Sequence, residues 1–98
     1  MGLQIEWKKE AENDAIEMLE YVGKDNVISA YALYNEIKIQ INQLSDYPKL
    51  GKLGRIKGTR ELIIADTSYI VAYRIHNNII QILRILHSAR NWNKQFSK

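Results

Sequence analysis

The sequence predicts an α+β fold: an N-terminal strand, then a two-helix hairpin packed on an antiparallel β-sheet, then a short basic C-terminal segment. Three observations predict it: an alternating stretch at the start, two stretches with apolar residues at helical spacing, and three β-branched runs separated by polar turns. The chain has 98 residues and 46% hydrophobic composition, which suits one small domain. We therefore assign residues 1–98 to a single domain.

The first strand and the first helix follow from hydrophobic periodicity. Leu3, Ile5 and Trp7 alternate with polar residues, which predicts a strand with one buried face. The helix that follows carries acidic residues in its opening turn, where the helix dipole favours them, and Gly23 supplies its stop. Its predicted core positions are Ala11, Ala15, Met18, Leu19 and Val22.

A second helix begins after Asp25 and Asn26, either of which can cap it, and Pro48 ends it. The break between the two helices is short, so they form an antiparallel hairpin. We expect the apolar stripe of the second helix to lie in the core. Its members are Val27, Ala30, Tyr31, Tyr34, Ile37, Ile41 and Leu44.

Residues 49–59 are rich in glycine and cations. Their spacing does not fit a phosphate-binding loop, which requires Gly-Lys-Ser or Gly-Lys-Thr at a helix start. Two interpretations stay open: a mobile, solvated connection, or an arm that contacts phosphates or acidic groups. The cations concerned are Lys49, Lys52, Arg55 and Lys57.

The three β-branched runs, near residues 58–64, 69–75 and 79–87, predict an antiparallel meander. A two-residue type I′ turn at Asn77 and Asn78 determines the pairing of the last two strands. The predicted pairs are His76–Ile79, Arg74–Gln81, Ala72–Leu83 and Ile70–Ile85.

This register divides the side chains between two faces. The more open face carries Ile70, Ala72, Arg74, Gln81, Leu83, Ile85 and His87. The bulkier face, which should lie on the helices, carries Tyr69, Val71, Tyr73, Ile75, Ile80, Ile82, Arg84 and Leu86. An arginine on the packed face needs an acidic partner, and we predict that Arg84 pairs with Glu61.

Charge is divided unevenly along the chain. Residues 1–46 carry nine acidic and four basic side chains, a net charge of −5, whereas residues 47–98 carry two acidic and ten basic side chains, a net charge of +8. No acid follows Asp66. We therefore expect the second half to present a cationic surface to an anionic partner, either a nucleic acid or an acidic protein segment.

The order of elements and three sequence segments resemble the RelE/ParE superfamily of bacterial type II toxins, over nearly the whole chain. The segments are Gly58-Thr59-Arg60-Glu61-Leu62, Tyr69-Ile70-Val71-Ala72-Tyr73-Arg74 and Ile82-Leu83-Arg84-Ile85-Leu86-His87-Ser88-Ala89-Arg90. The resemblance implies a small toxin that a cognate antitoxin wraps and neutralises. RelE-like members cut mRNA in the ribosomal A site without a metal, whereas ParE-like members block DNA gyrase.

Metal-free RNA cleavage needs a base near the 2′-OH, cations on the scissile phosphate and an acid at the leaving oxygen. His87 can serve as acid or base, because a histidine side chain is the type that can take up or release a proton near neutral pH. The phosphate clamps would be Arg74, Arg90 and Lys52. The remaining candidate binding residues are Arg55, Lys57, Arg60, Tyr69, Gln81 and Trp92.

One departure argues against RelE-type cleavage. RelE carries an arginine directly after the tyrosine that matches Tyr69, and here that position is Ile70. We therefore favour ParE-like poisoning of DNA gyrase, with a ribosome-dependent mRNA endonuclease as the alternative and a non-catalytic binding or co-repressor subunit as a third interpretation. We expect no cofactor and no metal, a cytoplasmic location without membrane association, and as partners a cognate antitoxin and either gyrase or ribosome-bound mRNA.

Overall fold

A computed structural model describes residues 2–88 as one mixed five-stranded sheet with two helices against one of its faces. The strands are β1 (Gln4–Trp7), β2 (Lys52–Leu53), β3 (Arg60–Ile63), β4 (Tyr69–His76) and β5 (Ile79–His87), and the helices are α1 (Lys9–Gly23) and α2 (Val27–Asn42). The strand order is β1-β5-β4-β3-β2, and β1 runs parallel to β5 while the other pairs are antiparallel. The fold is the α+β arrangement that the sequence predicts. The basic C-terminal segment lies outside the described residues.

The helix hairpin forms where the apolar spacing predicts it. Asn26 caps α2 by accepting a hydrogen bond from the backbone N–H of Ser29 at 2.9 Å. The predicted core positions of α1 are buried or half-buried. Two predicted core positions of α2 are wrong, because Val27 and Tyr31 are 61% and 56% exposed. Both lie in the first turns of α2, near the turn between the helices, whereas the buried residues of α2 are Ala30, Ile37 and Ile41.

Strand β2 is an element that the sequence did not predict. It has only two residues, Lys52 and Leu53, which pair with Glu61 and Arg60 of β3. Hydrophobic alternation cannot identify so short a strand between glycines. Its formation makes β2 and β3 a hairpin at one edge of the sheet.

The predicted turn between β4 and β5 is confirmed. Asn77 and Asn78 have φ angles of 52° and 60°, the left-handed conformation that a type I′ turn requires at both positions. His76 pairs with Ile79 and, two residues further from the turn, Arg74 pairs with Gln81 as predicted.

Beyond Tyr73 the predicted register is wrong, because β5 contains a β-bulge. Tyr73 pairs with Ile82 and Ala72 pairs with Arg84, so Leu83 is an extra residue on β5. Every later residue of β5 is therefore shifted by one position relative to β4. The observed pairs are Ile70–Leu86, Val71–Ile85 and Tyr69–His87.

The bulge exchanges the faces of the last residues of β5. Ile85 joins the main core beneath the helices and His87 follows it, whereas Leu86 joins Ile70 and Ala72 in a small apolar cluster on the opposite face. The face assignment from sequence is therefore correct as far as Ile82 and reversed for Ile85, Leu86 and His87. The core beneath the helices includes Val71, Tyr73, Ile80, Ile82 and Ile85 from the sheet.

None of the helices in residues 2–88 combines the length and the apolar character that a membrane crossing requires.

Candidate functional site

The most cationic part of the described chain is the loop and strand at residues 49–58, which we call the cationic hairpin. Hydrogen bonds from the sheet hold it in place. The Tyr73 hydroxyl donates to the carbonyl of Pro48 at 2.8 Å and accepts from the N–H of Gly51 at 2.9 Å. Arg60 donates from Nη1 to the carbonyl of Gly51 at 2.7 Å. These hydrogen bonds attach the segment to the sheet as a hairpin, and Arg60 is one of the residues that make the attachment.

Glu61, on the face of the sheet opposite to the helices, holds the cationic hairpin at Arg55. Its side chain is only 3% exposed, and its carboxylate accepts hydrogen bonds from the N–H of Arg55 at 2.9 Å and from Arg55 Nε at 3.1 Å. Burial alone would raise the pKa of Glu61. The hydrogen bonds from Arg55, with the charges of Arg55 and Lys52, outweigh burial and hold that pKa below its ordinary value.

The predicted pair between Arg84 and Glu61 is wrong, since Arg84 binds Asp14 of α1. Arg84 Nε lies 2.8 Å from Asp14 Oδ2, and Nη2 lies 2.9 Å from Oδ1. Asp14 also accepts the N–H of Ile85 at 2.9 Å. Strand β1 pairs with β5 only as far as Ile82, so the edge of β5 after Ile82 has no strand beside it. At this edge the carboxylate of Asp14 accepts the backbone N–H that a longer β1 would have bound. The bidentate hydrogen bonds from Asp14 raise the pKa of Arg84.

A second charged arrangement lies on the face opposite to the helices. Arg74 Nε donates to Gln81 Oε1 at 2.6 Å, and Gln81 Nε2 donates to Glu6 Oε1 at 3.1 Å. Gln81 is buried at 9% exposure, whereas Arg74 is exposed. The buried side-chain amide of Gln81 therefore orients the exposed guanidinium of Arg74.

His87 lies on the helix side of the sheet, away from that guanidinium. Its ring contacts the Tyr69 ring edge-on, with centroids 5.2 Å apart and planes at 84°. The two side chains line a cavity of about 20 Å³ together with Asp14 and Glu17. Since Arg74 projects from the other face, the described residues do not bring His87 and Arg74 to a common site.

The remaining predicted site residues are divided among these surroundings. Lys52 and Lys57 are exposed on the cationic hairpin. Arg55 forms an ion pair with Glu61, and its side chain is 47% exposed. Tyr69 packs beside the core. Arg90 and Trp92 lie outside the described residues. Within residues 2–88, no three His, Asp or Glu side chains are placed to hold a metal ion.

Sequence reasoning missed the apolar side chains of this region. They are Tyr47, Leu50, Leu53 and Ile56, with exposed fractions of 66%, 51%, 77% and 37%. Their signal was present in the sequence as a repeat, Lys-Leu-Gly at 49–51 and again at 52–54, then Arg-Ile-Lys-Gly at 55–58. Each unit places a cation beside an aliphatic residue on a surface that solvent reaches.

Comparison with known proteins gives a consistent result. Residues 5–92 match the family model described as the ParE toxin of the type II toxin–antitoxin system, parDE. A putative toxin, Y4kP, from Sinorhizobium fredii is 36% identical over 89 residues, which cover 91% of this chain and 92% of that protein.

Solved structures of low sequence identity share the fold. A chain of the chromosomal ParDE system from P. aeruginosa superposes with a TM-score of 0.79 at 23% identity, covering 87% of this chain and 95% of the other. A chain of the intact E. coli RelBE toxin–antitoxin complex superposes with a TM-score of 0.66 at 9% identity, covering 90% and 99%.

Proposed function

The chain belongs to the family of ParE toxins of type II toxin–antitoxin systems, and from this premise we propose that it arrests growth by poisoning DNA gyrase. Its natural partner within such a system is a cognate antitoxin. The alternative within the superfamily is cleavage of ribosome-bound mRNA. The position of His87 supports the choice between them.

The observation that carries the proposal is the β-bulge at Leu83. Cleavage of RNA without a metal requires an acid–base group and cations around one phosphate. The bulge turns His87 to the helix side, where it contacts Tyr69, while Arg74 stays on the opposite face. A single phosphate cannot contact both side chains from opposite faces of a sheet. Within the described residues, the acid–base candidate and the phosphate clamp are therefore separated.

The centre of the face opposite to the helices adds support. The position that carries an arginine in RelE is Ile70, and here it packs with Ala72 and Leu86. All three are at most 9% exposed. An apolar cluster in this place offers no charge to a phosphate. This lack of charge argues against an endonuclease that clamps its phosphate at this position.

Controlled induction in cells, combined with assays on purified components, tests the proposal. We expect an SOS response and filamentation in cells, and loss of supercoiling with accumulation of cleaved DNA when the toxin is added to purified gyrase. Rapid arrest of protein synthesis with site-specific cuts in ribosome-bound mRNA would overturn the gyrase proposal. Normal growth at verified expression would indicate the third interpretation, a non-catalytic binding or co-repressor subunit.

A further inference from the structure

The cationic hairpin presents aliphatic side chains and cations together, which is unusual for a solvated loop. Leu50 and Leu53 are 51% and 77% exposed, and Tyr47 beside them is 66% exposed. Tyr47, Pro48, Lys49 and Leu50 line an open hollow of about 420 Å³. Large apolar side chains that a folded chain leaves exposed mark a candidate site of interaction with another molecule.

Hydrogen bonds at several points hold the backbone beneath these side chains. Gly54 donates its N–H to the carbonyl of Thr59 at 2.8 Å, and the Thr59 hydroxyl donates to the carbonyl of Ile56. The buried hydroxyl of Tyr73 and the buried carboxylate of Glu61 secure the two sides of the hairpin. A partner that docks here does not have to order the loop, so less conformational entropy is lost on binding.

The charges of the hairpin specify an anionic partner. Lys49, Lys52 and Lys57 are exposed, and between residues 47 and 60 the sequence contains no acid. The first acid that follows, Glu61, is buried and engaged by Arg55. Exposed cations with no exposed acid between them attract a partner that carries acidic groups.

Two features favour an acidic polypeptide over a nucleic acid. Phosphate backbones are bound by cations and polar donors, and bases by stacking on aromatic or planar groups, whereas the exposed side chains between these cations are aliphatic. In addition, β2 is an edge strand. Because Gly54 donates across the hairpin to Thr59, ladder alternation turns the N–H of Leu53 toward the open edge. That edge offers a main-chain hydrogen bond to an extended polypeptide.

We propose that the cationic hairpin is a docking surface for the antitoxin, and that it receives an extended segment in which acidic residues accompany aliphatic ones. The aliphatic side chains of the segment cover Leu50 and Leu53, and its carboxylates face Lys49 and Lys57. This inference rests on the proposed function in one respect, since it takes the partner from the toxin–antitoxin assignment. It does not depend on the target of the toxin.

The test measures the affinity of the purified cognate antitoxin for matched variants of the full chain. Leu53→Ser removes an exposed aliphatic side chain from the hairpin, and Ile28→Ser removes one that is 82% exposed at the helix-hairpin tip. We expect Leu53→Ser to weaken binding by about tenfold or more, since covering a leucine stabilises a complex by roughly 1.5–3 kcal/mol. Ile28→Ser should bind as the unmodified chain does.

The charge component is tested in the same way. The double variant Lys49→Gln with Lys57→Gln should weaken binding and flatten its dependence on salt, whereas Lys9→Gln with Lys24→Gln, both exposed on the helix hairpin, should change neither. Equal affinities for the hairpin and control variants would overturn the proposal. Tight binding of the hairpin by a short DNA duplex or RNA strand, lost in Leu53→Ser, would identify a nucleic acid as the occupant and also overturn it.

Hydrogen exchange on the unmodified complex makes the result independent of how well the variants fold. We expect the amide of Leu53 to gain protection when the antitoxin binds, and no gain at this edge would contradict the proposal. Toxicity without antitoxin should persist in Leu53→Ser. If the unmodified chain inhibits gyrase but Leu53→Ser binds the antitoxin as tightly as the unmodified chain does, only the docking surface is refuted. If the unmodified chain has no effect on gyrase, only the proposed target is refuted.

Discussion

At the scale of single residues, two carboxylates with little exposure, Asp14 and Glu61, fix the positions of two arginines. Asp14 binds Arg84 through two hydrogen bonds and adds a third to the backbone of β5, and Glu61 binds the backbone and side chain of Arg55. Each acid therefore joins two different elements of the fold: Asp14 links α1 to β5, and Glu61 links β3 to the cationic hairpin. Each pair has a testable contribution to stability.

We expect Arg84→Ala to lower the free energy of unfolding by about 3 kcal/mol, because it leaves the carboxylate of Asp14 without its cation in a largely buried place. Urea unfolding monitored by circular dichroism gives the value. Lys24→Ala removes an exposed cation and should change stability by less than about 0.5 kcal/mol. An Arg84→Ala protein as stable as that control would show that the pair does not stabilise the fold.

Glu61 makes the stability depend on acid pH. Its folded-state pKa lies below its ordinary value of 4.5, so its contribution is fully present above that value and is lost as pH falls through the folded-state pKa. We expect Glu61→Gln to cost about 1–2 kcal/mol at pH 7 and progressively less toward pH 3.

Urea midpoints for the two proteins at several pH values measure this loss, with Glu20→Gln, an exposed position on α1, as the control. A difference between the Glu61→Gln protein and the unmodified protein that stays constant down to pH 3 would contradict the assignment to ionised Glu61.

At the scale of elements, two hairpins and one bulge determine which side chains meet. The turn at Asn77 and Asn78 sets the register of β4 and β5, and the bulge at Leu83 then changes it. The cationic hairpin, in contrast, takes its shape from Tyr73, a fully buried residue of the neighbouring strand. Its burial raises the pKa of the hydroxyl, so the neutral, hydrogen-bonding form is maintained to higher pH than usual.

Tyr73→Phe should therefore loosen the cationic hairpin while the sheet remains folded. The change leaves the N–H of Gly51 and the carbonyl of Pro48 without their buried partner, at a cost of about 1–3 kcal/mol. Hydrogen exchange should become faster at Gly51 and stay unchanged at Ser29, whose amide is bound by the Asn26 cap at the start of α2. Equal protection at Gly51 in both proteins would mean that other contacts suffice to hold the hairpin.

At the scale of the whole molecule, the fold separates charge and separates the candidate catalytic groups. The acidic first half supplies both helices, and the basic second half supplies four of the five strands. His87 is placed against the acidic half, beside Asp14 and Glu17, while the exposed cations of the cationic hairpin and Arg74 lie on other parts of residues 2–88. Over the described residues, this division fits a toxin that binds partners through several surfaces.

His87→Ala should accordingly remain toxic. An enzyme that lost its general acid–base group would slow by about 10²–10⁴-fold, which would restore growth. For a gyrase poison that does not use His87, the change removes a side chain that contacts Tyr69 edge-on and takes away no catalytic group. Growth curves after induction, with protein amounts matched by immunoblot, measure the effect. Recovery of growth by a folded His87→Ala protein, together with loss of mRNA cuts, would favour the endonuclease.

Local patterns of the sequence predict much of the architecture. Alternation at Leu3, Ile5 and Trp7 marks β1, and the helical spacing of Ala11, Ala15 and Met18 marks the buried side of α1. The turn at residues 77–78 requires left-handed backbone, which asparagine adopts more readily than most residues. These features depend on nearest neighbours along the chain, so they could be predicted without knowledge of the partners.

The register after the bulge and the partners of the charged residues were decided by tertiary structure. Strand β5 is apolar on both faces around Leu83, so the sequence contains no break in alternation that would reveal an extra residue. Arg84 meets an acid 70 positions away because α1 crosses the edge that β1 leaves open. The local sequence around Arg84 predicts that this arginine needs an acidic partner, but only the packing of α1 on the sheet determines that the partner is Asp14. The bulge in the same strand places His87 on the helix side.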